Sequence, residues 1–536
     1  MSRFDTSRRA KPEQEQNQDQ NQDRDRFVRL LWAEWTKLRT VRAWLITLVA
    51  AAVAMVVFSV LSAAGEQRNC NGQAGCPTVV VGPGGEAVAD SYELVDRPLT
   101  GNGTLTVQVA SFTGLLPPPG HSFGQPVPPA VPLSAGHPGV EPWAKAGLII
   151  TASTSQGAPY AAVMVAADHG VRFQDDYTND IAGPAVAPGS PQWLRLTRVG
   201  NVITAYASPD AVEWTRIGAV DLSGLPGTAQ AGLFVTSPQD AQITEHPFFA
   251  SGSDSPTLAT ATFTHFTMQG AWSPAAWTGQ TIGGPDGAYP ALTGDYHQLS
   301  DESYQVSGSG DIAPAVGGVE GIGITIEQTL DGGFVALIMV IALGAICATS
   351  EYRRGLIRIT LAAVPRRGQV LAAKAVVLGV ATFVLTLPAA ALSLLIGKRV
   401  LVANHNLLYP VTTFTEVRVI VGTAGFLAVA SVIALAFGVI LRRSTGAITT
   451  VVVGIVLPYL FFPGLPDGAA EWLLRVTPDA ALSVQQTLPV YHQVAASYIP
   501  TGGYYPLAPW AGFAVLCGYA VIALVIATVL LRRRDP

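Results

Sequence analysis

Charge is scarce in this chain. Asp, Glu, Lys and Arg make up 13 % of its 536 residues, about half of the roughly 25 % usual for soluble proteins. A nucleic-acid surface needs a basic excess, and a formal net charge of -5 offers none. Four cysteines are too few for a disulfide-stapled scaffold. No G-x-x-x-x-G-K-[ST] phosphate loop occurs, so the chain is not expected to hydrolyse ATP itself. H-E-x-x-H and G-x-S-x-G are missing too. The eight histidines are scattered. No catalytic residue, metal site or cofactor of this chain is therefore expected. What is abundant is apolar: 49 % of the residues, diluted by 54 Gly and 38 Pro, too many for helices alone. That combination excludes disorder of the whole chain and describes a membrane protein carrying a second, soluble kind of structure.

A span needs about 20 apolar residues. The first is 43–64, free of charge. It is too long for the core of a signal peptide and begins 42 residues into the chain, so it reads as an anchor. Five more follow only after residue 331, at about 332–349, 375–397, 419–441, 444–462 and 507–531. Lys374 stands at the edge of one, where a long side chain can snorkel. Otherwise the spans hold almost no ionisable group, which argues against an ion-coupled carrier and for a hydrophobic or amphipathic cargo. Of 32 Lys and Arg, 21 fall in 1–42, 350–374, 442–443 and 532–534, which share one side if the spans alternate. The positive-inside rule then puts both termini in the cytoplasm of a multi-pass plasma-membrane protein, with 65–330 outside.

Segment 1–26 is polar and of low complexity and reads as a disordered cytoplasmic tail. Segment 27–42, FVRLLWAEWTKLRTVR, gathers Phe27, Leu30, Leu31, Trp35, Leu38 and Val41 on one helical face, with Arg29, Thr36, Lys37 and Thr40 opposite. That pattern describes a helix lying in the membrane interface, in contact with the bilayer. Segment 350–374, SEYRRGLIRITLAAVPRRGQVLAAK, is basic, helical in pattern up to Val364, and stopped by Pro365.

This segment resembles the first cytoplasmic loop of permeases in the ABC type-2 exporter family, through Glu351, Arg353, Arg354, Gly355, Arg358, Thr360, Leu361, Pro365, Arg366, Arg367 and Lys374. The amino-terminal AEWTKLRTVRAW is similar to the start of actinobacterial members. The resemblance implies a membrane subunit that binds no ATP. Its 350–367 loop would dock on separate ABC ATPase subunits, and it would pair with a second permease copy or a paralogue. One departure stands out: the first external loop, short in the family, is about 260 residues here.

That insertion carries 22 acidic and 7 basic residues between 66 and 325, a balance of -15, which leaves +10 for the rest. Short alternating runs such as GTLTVQVAS, QWLRLTRV and NVITAYAS, separated by turn residues, favour a β-sandwich over about 95–270, with a barrel as the other option. The stretch 271–330, rich in Gly, Pro and Ser, reads as a linker. The pieces 143–150, 159–173, 193–198 and 205–214 resemble concanavalin-like, laminin-G-like jelly rolls. That resemblance implies a fold, and a carbohydrate or protein partner at the cell surface. Cys70 and Cys76, just outside the first span, are expected to form a disulfide in the oxidising exterior. Asp175, Asp176 and Asp180 lack the full spacing of a calcium loop and read as a solvated acidic turn. The expected fold is therefore a six-span, one-plus-five helical membrane protein with an all-β, jelly-roll insertion. The other reading is a membrane-anchored, lectin-like glycan binder without transport, for which five extra helices have no use.

Overall fold

Long apolar runs become helices because a backbone in hydrocarbon must satisfy its own hydrogen bonds. The computed structural model describes residues 10–68, 76–117, 136–187, 189–245, 250–285, 291–300, 302–317, 322–353, 366–462, 465, 467–494 and 500–533. Its helices are α1 (Ala10–Thr40), α2 (Arg42–Gly65), α3 (Gly332–Arg353), α4 (Arg367–Ala403), α5 (Thr413–Leu441), α6 (Ser444–Phe461), α7 (Asp467–Val476) and α8 (Pro509–Arg533). All except α1 and α7 are long and apolar enough to cross a membrane. The chain is a helical membrane protein with a large β insertion.

The centre of the helical part is α5. Val419, Phe426, Leu427, Ala430 and Ala434 of α5 share one core with Leu337, Val340 and Ile341 of α3. The two helices touch closely at Gly344, where a Cβ would stand 2.2 Å from the backbone oxygen of Ser431. By contrast α2, α6 and α8 leave large apolar faces exposed, including Val53, Leu457 and Ile522. The stretch between α6 and α8 folds back. Its 3₁₀ turn Pro478–Gln485 sends Ala481 and Leu482 into the α3–α5 core.

The strands are β1 (Val88–Asp90), β2 (Tyr92–Leu116), β3 (His137–Pro138), β4 (Lys145–Thr151), β5 (Tyr160–Ala166), β6 (Gly170–Asp175), β7 (Asn179–Ala182), β8 (Gln192–Val199), β9 (Val202–Ser208), β10 (Thr215–Asp221), β11 (Thr228–Thr236), β12 (Asp240–Glu245), β13 (Ala250–Ser255), β14 (Leu258–Trp272), β15 (Thr278–Ile282), β16 (Asp295–Ser300), β17 (Ser303–Gly308) and β18 (Ile312–Pro314). The organiser is β2. Its first half pairs with β11 and β15, its second with β8 and β14, all antiparallel. Two wings leave one edge of it, β11-β4-β5-β6-β7 and β8-β9-β10. They fold over one core containing Leu105, Val107, Leu148, Val163, Leu194, Leu196 and Leu233. At the far ends β10 reaches β6 and β7, where a Cβ on Gly218 would meet Ile181 and Phe173. The result is a nearly closed sandwich.

Two expectations need correction. The polar tract 10–26 is helical and continuous with α1. Its Glu, Gln and Arg are good helix formers, and Pro12 sits in the first turn, where a missing N–H does no harm. The stretch 271–330 is more than a linker. It contributes β15 to β18, because the Ser and Thr of these short runs pair with strands already present.

The returning chain also welds the insertion to the helical part. The Tyr409 hydroxyl donates to the Val316 carbonyl, and Gly317 N donates to the Tyr504 hydroxyl at 3.0 Å. Gln493 Nε2 donates to the Thr178 carbonyl at 3.0 Å. Ala87, Ala89, Ala315, Ile322, Tyr409, Leu488 and Tyr504 form one buried cluster beneath. Cys70, one half of the expected disulfide, lies outside the described residues.

The Gly344 contact is testable. Gly344→Val overpacks a backbone contact, which costs about 1–3 kcal/mol, and should lower the apparent melting temperature of the purified protein. Gly454→Ala, on α6 with open space around it, should not. Equal melting of both variants would contradict the close approach.

Candidate functional site

Four charged side chains meet at the basic end of the helices. On α1, Leu30, Glu34 and Leu38 recur at four-residue spacing, so they share one face. That face packs inward: Leu38 lies in a core with Leu371, Leu378 and Leu531. It carries Glu34 with it, 5 % exposed. Glu351, in the last turn of α3, is 7 % exposed, and Lys374, in the third turn of α4, is 8 % exposed. Lys374 Nζ reaches Glu351 Oε1 at 2.6 Å and Glu34 Oε2 at 3.1 Å. Lys37 Nζ reaches Glu34 Oε1 at 2.6 Å and Glu351 Oε1 at 3.4 Å. Two positive and two negative charges thus neutralise one another across three helices.

Burial alone would raise the Glu34 pKa, but Lys374 and Lys37 outweigh it and hold the carboxyl below its usual range. Neighbouring contacts tie in the remaining helices. Arg367 Nη1 donates to the Leu531 carbonyl of α8 at 2.7 Å. The Arg442 guanidinium, at the turn between α5 and α6, lies 5.2 Å from the centre of the Tyr352 ring. The two roots of the 354–365 stretch are thus held by α1, with α8 touching one of them and the α5–α6 turn the other.

The residues expected from the sequence fall as follows. Glu351 enters the network, Arg353 ends α3, Arg366 precedes α4 and Arg367 begins it. Arg354, Gly355, Arg358, Thr360, Leu361 and Pro365 lie outside the described residues. Phe27 and Leu31 are half-buried and Leu38 is buried, whereas Trp35 is 43 % exposed beside Trp32 at 66 %. Those two tryptophans and Val28 flank an apolar groove against Val376 and Val380 of α4. So α1 has two apolar faces, one packed inward and one turned out. Lys374 does not snorkel; two carboxylates hold it inside. Glu34 and Lys37 had no assigned role in the network. The available signal was a carboxylate set in the middle of an apolar stripe.

At the other end two carboxylates are buried on 3₁₀ turns that lie outside the six candidate spans. Glu327, on the 3₁₀ turn Ile326–Leu330, accepts from Thr487 at 2.7 Å, and burial pushes its pKa up to about 7. Asp479 is 1 % exposed and raised well above its usual range. In the β domain the turn acids are engaged rather than solvated: Asp180 pairs with Arg172, and Asp175 accepts from Asn179 at 2.8 Å.

Residues 234–536 match the family model described as ABC-2 family transporter protein, which is more than half of the chain. The chain belongs to the ABC-2 transporter family. It is a permease subunit of an ABC transporter, embedded in a membrane. The match begins within β11 and runs through α8. No curated protein matches this permease. Among solved structures, the GH43 protein BlXynB from Bacillus licheniformis is similar at 13 % identity, over 25 % of this chain and 24 % of its own, with a TM-score of 0.17. A functionally unknown protein from Saccharomyces cerevisiae is similar at 12 % identity, over 37 % and 84 %, with a TM-score of 0.19. Scytalido-glutamic peptidase is similar at 11 % identity, over 41 % and 98 %, with a TM-score of 0.24. The chain thus spans about a quarter of the first protein's length, and none of these scores carries an argument.

The charge network of the permease predicts two behaviours. Lys374→Met leaves two buried carboxylates with only the half-exposed Lys37, and losing one partner of a buried pair costs about 3–5 kcal/mol. The apparent melting temperature should fall clearly, and an unchanged value would contradict the network. The second behaviour concerns acid. A folded-state pKa below the unfolded one means that the stability Glu34 contributes is complete above its unfolded value of about 4.3. It is lost as pH falls through the lower folded value. Glu34→Gln should flatten that acid limb of a pH–stability profile, and a limb of unchanged depth would contradict the assignment.

Proposed function

We propose that this ABC-2 permease works with separate ATPase subunits, which engage its 350–367 loop at Glu351, Arg353, Arg354, Gly355, Arg358, Thr360, Pro365, Arg366 and Arg367. In this reading both termini are cytoplasmic, α1 lies on the inner membrane face, and 65–330 is external. The observation that carries the reading is the Glu34–Lys37–Glu351–Lys374 network. It sits at both roots of the basic loop, so a push delivered to the loop reaches α3, α4 and α1 together. The exposed apolar faces of α2, α6 and α8 suit the lipid bilayer and a second copy or a paralogue.

The same reading makes the external β-sandwich a carbohydrate- or partner-binding cap over the exit, in a jelly-roll-like arrangement. It also bridges Cys70 to Cys76 next to the first span. Among the described residues the free thiols are Cys347 and Cys517, and Cys76 is not one of them, which supports that pairing.

Affinity purification from the native host tests the coupling. The wild type should bring down a protein with a phosphate loop, and a variant with Arg353, Arg354 and Arg358 changed to Glu should lose it. A permease that brings down no ATPase, or whose capture of one survives the triple reversal, would contradict the proposal. The first outcome would favour the anchored glycan-binder reading.

A further inference from the structure

We propose that the outward face of the β9-β8-β2-β14 sheet is a saccharide-binding surface built on Trp193, Arg195, Tyr206, Trp214 and His265. This deepens, and rests on, the reading of the β domain as a glycan-meeting cap. Leu194 and Leu196 of β8 point into the core, so Trp193 and Arg195 point the other way. Strand register sets Tyr206, Arg195 and Thr106 side by side, and next to that row Trp193, Gln108 and Thr264. None of these residues belongs to the clusters that join the domain to the helices.

Two local devices hold the aromatic rings in place. Arg195 stacks on Trp214 with its guanidinium carbon 3.7 Å from the ring centre, and its Nε donates to Thr106 at 3.1 Å. Trp214 in turn donates its Nε1–H to the Ala211 carbonyl at 2.9 Å, in a loop closed by Asp210. Ala211 takes a positive φ of 62° there. His265 has a φ of 55°, unusual for a residue with a side chain. It sits in a bulge of β14, where the register with β2 slips between Thr264 and Thr267. The bulge brings the His265 ring to 5.3 Å from Trp193. Backbone of this sort persists only where the surrounding structure holds it, and it clusters at functional sites.

Charge selects the ligand. The domain as a whole is strongly acidic, with 22 acidic residues against 7 basic ones over 66–325. Yet the two paired rows of this face contain no carboxylate; their guanidinium groups are Arg195 and, one strand further on β10, Arg216 opposite Tyr206, while Asp210 is engaged by Ser208, Val212 and Glu213 of its own loop. A basic protein would be drawn to the acids elsewhere. Rings flanked by hydroxyls, an amide and guanidinium groups suit a pyranose chain: its C–H faces lie on the rings, and its hydroxyls exchange hydrogen bonds with the polar groups between them.

The test uses the full-length permease in detergent. It is applied to an array of neutral, amino-sugar and uronate oligosaccharides, and the hits are titrated by calorimetry. Trp193→Ala and Trp214→Ala should each weaken binding at least tenfold, with Trp193→Phe recovering part of it. His265→Gly relieves the backbone and removes the ring, so it should keep or raise the melting temperature while weakening binding severalfold. Asp168→Ala, in a separate cleft beside β6, should change nothing. Binding that survives Trp193→Ala and Trp214→Ala would overturn this surface while leaving the glycan-meeting cap standing. An array without a single hit would overturn both.

Discussion

The helical part depends on one constraint: a buried charge must be met by an opposite one. Lys374 is enclosed by apolar helices, and only Glu351 and Glu34 make that tolerable. Glu34 in turn brings α1 down onto α3 and α4, and Lys37 completes the count. Apolar packing alone lets a helix slide or rotate, because one leucine contact resembles the next. A four-charge network does not, since a shift of one residue leaves a carboxylate in hydrocarbon without a partner. The orientation of α1 and the spacing of the loop's two roots are therefore set by the same few atoms.

The opposite end follows a similar logic with different chemistry. There a buried Lys145–Asp311 pair at 2.7 Å fixes the chain next to β18 within the β domain, and the tyrosine hydroxyls of Tyr409 and Tyr504 join the residues that follow it to the helical part. Buried polar groups with defined partners again fix an arrangement that apolar contacts only favour. The insertion is thus docked on the loops around 407–409 and 488–504 rather than hung from a tether.

Legibility in the sequence followed the range of the interaction. Spans are one-dimensional features, and uninterrupted apolar runs such as 43–64 and 419–441 announce them. Strands β8 and β9 were equally open to reading, because Leu194, Leu196, Ile203 and Ala205 alternate with polar neighbours. The long β2 was legible only in its second half, the run GTLTVQVAS, since Pro98 and Gly101 look like breakers until β11 and β14 supply partners for the flanking residues. The strands of 278–314 were hidden by their Ser, Thr and Gly content, which acquires strand character only by pairing. At the site, Glu351 and Lys374 stood out through the basic loop they bracket. Glu34 did not, because its partner Lys374 lies 340 residues away, and no periodicity links two such positions.

The most direct measurement is a double-mutant cycle between Glu34 and Lys374. Glu34→Gln, Lys374→Met and the double variant would each be unfolded reversibly in the same detergent. If the network is what fastens α1 to α4, the two changes will be non-additive by about 1–3 kcal/mol, the double variant being less damaged than the sum of the singles. Additivity within about 0.5 kcal/mol would mean that the two residues are neighbours without being coupled, and would contradict the account.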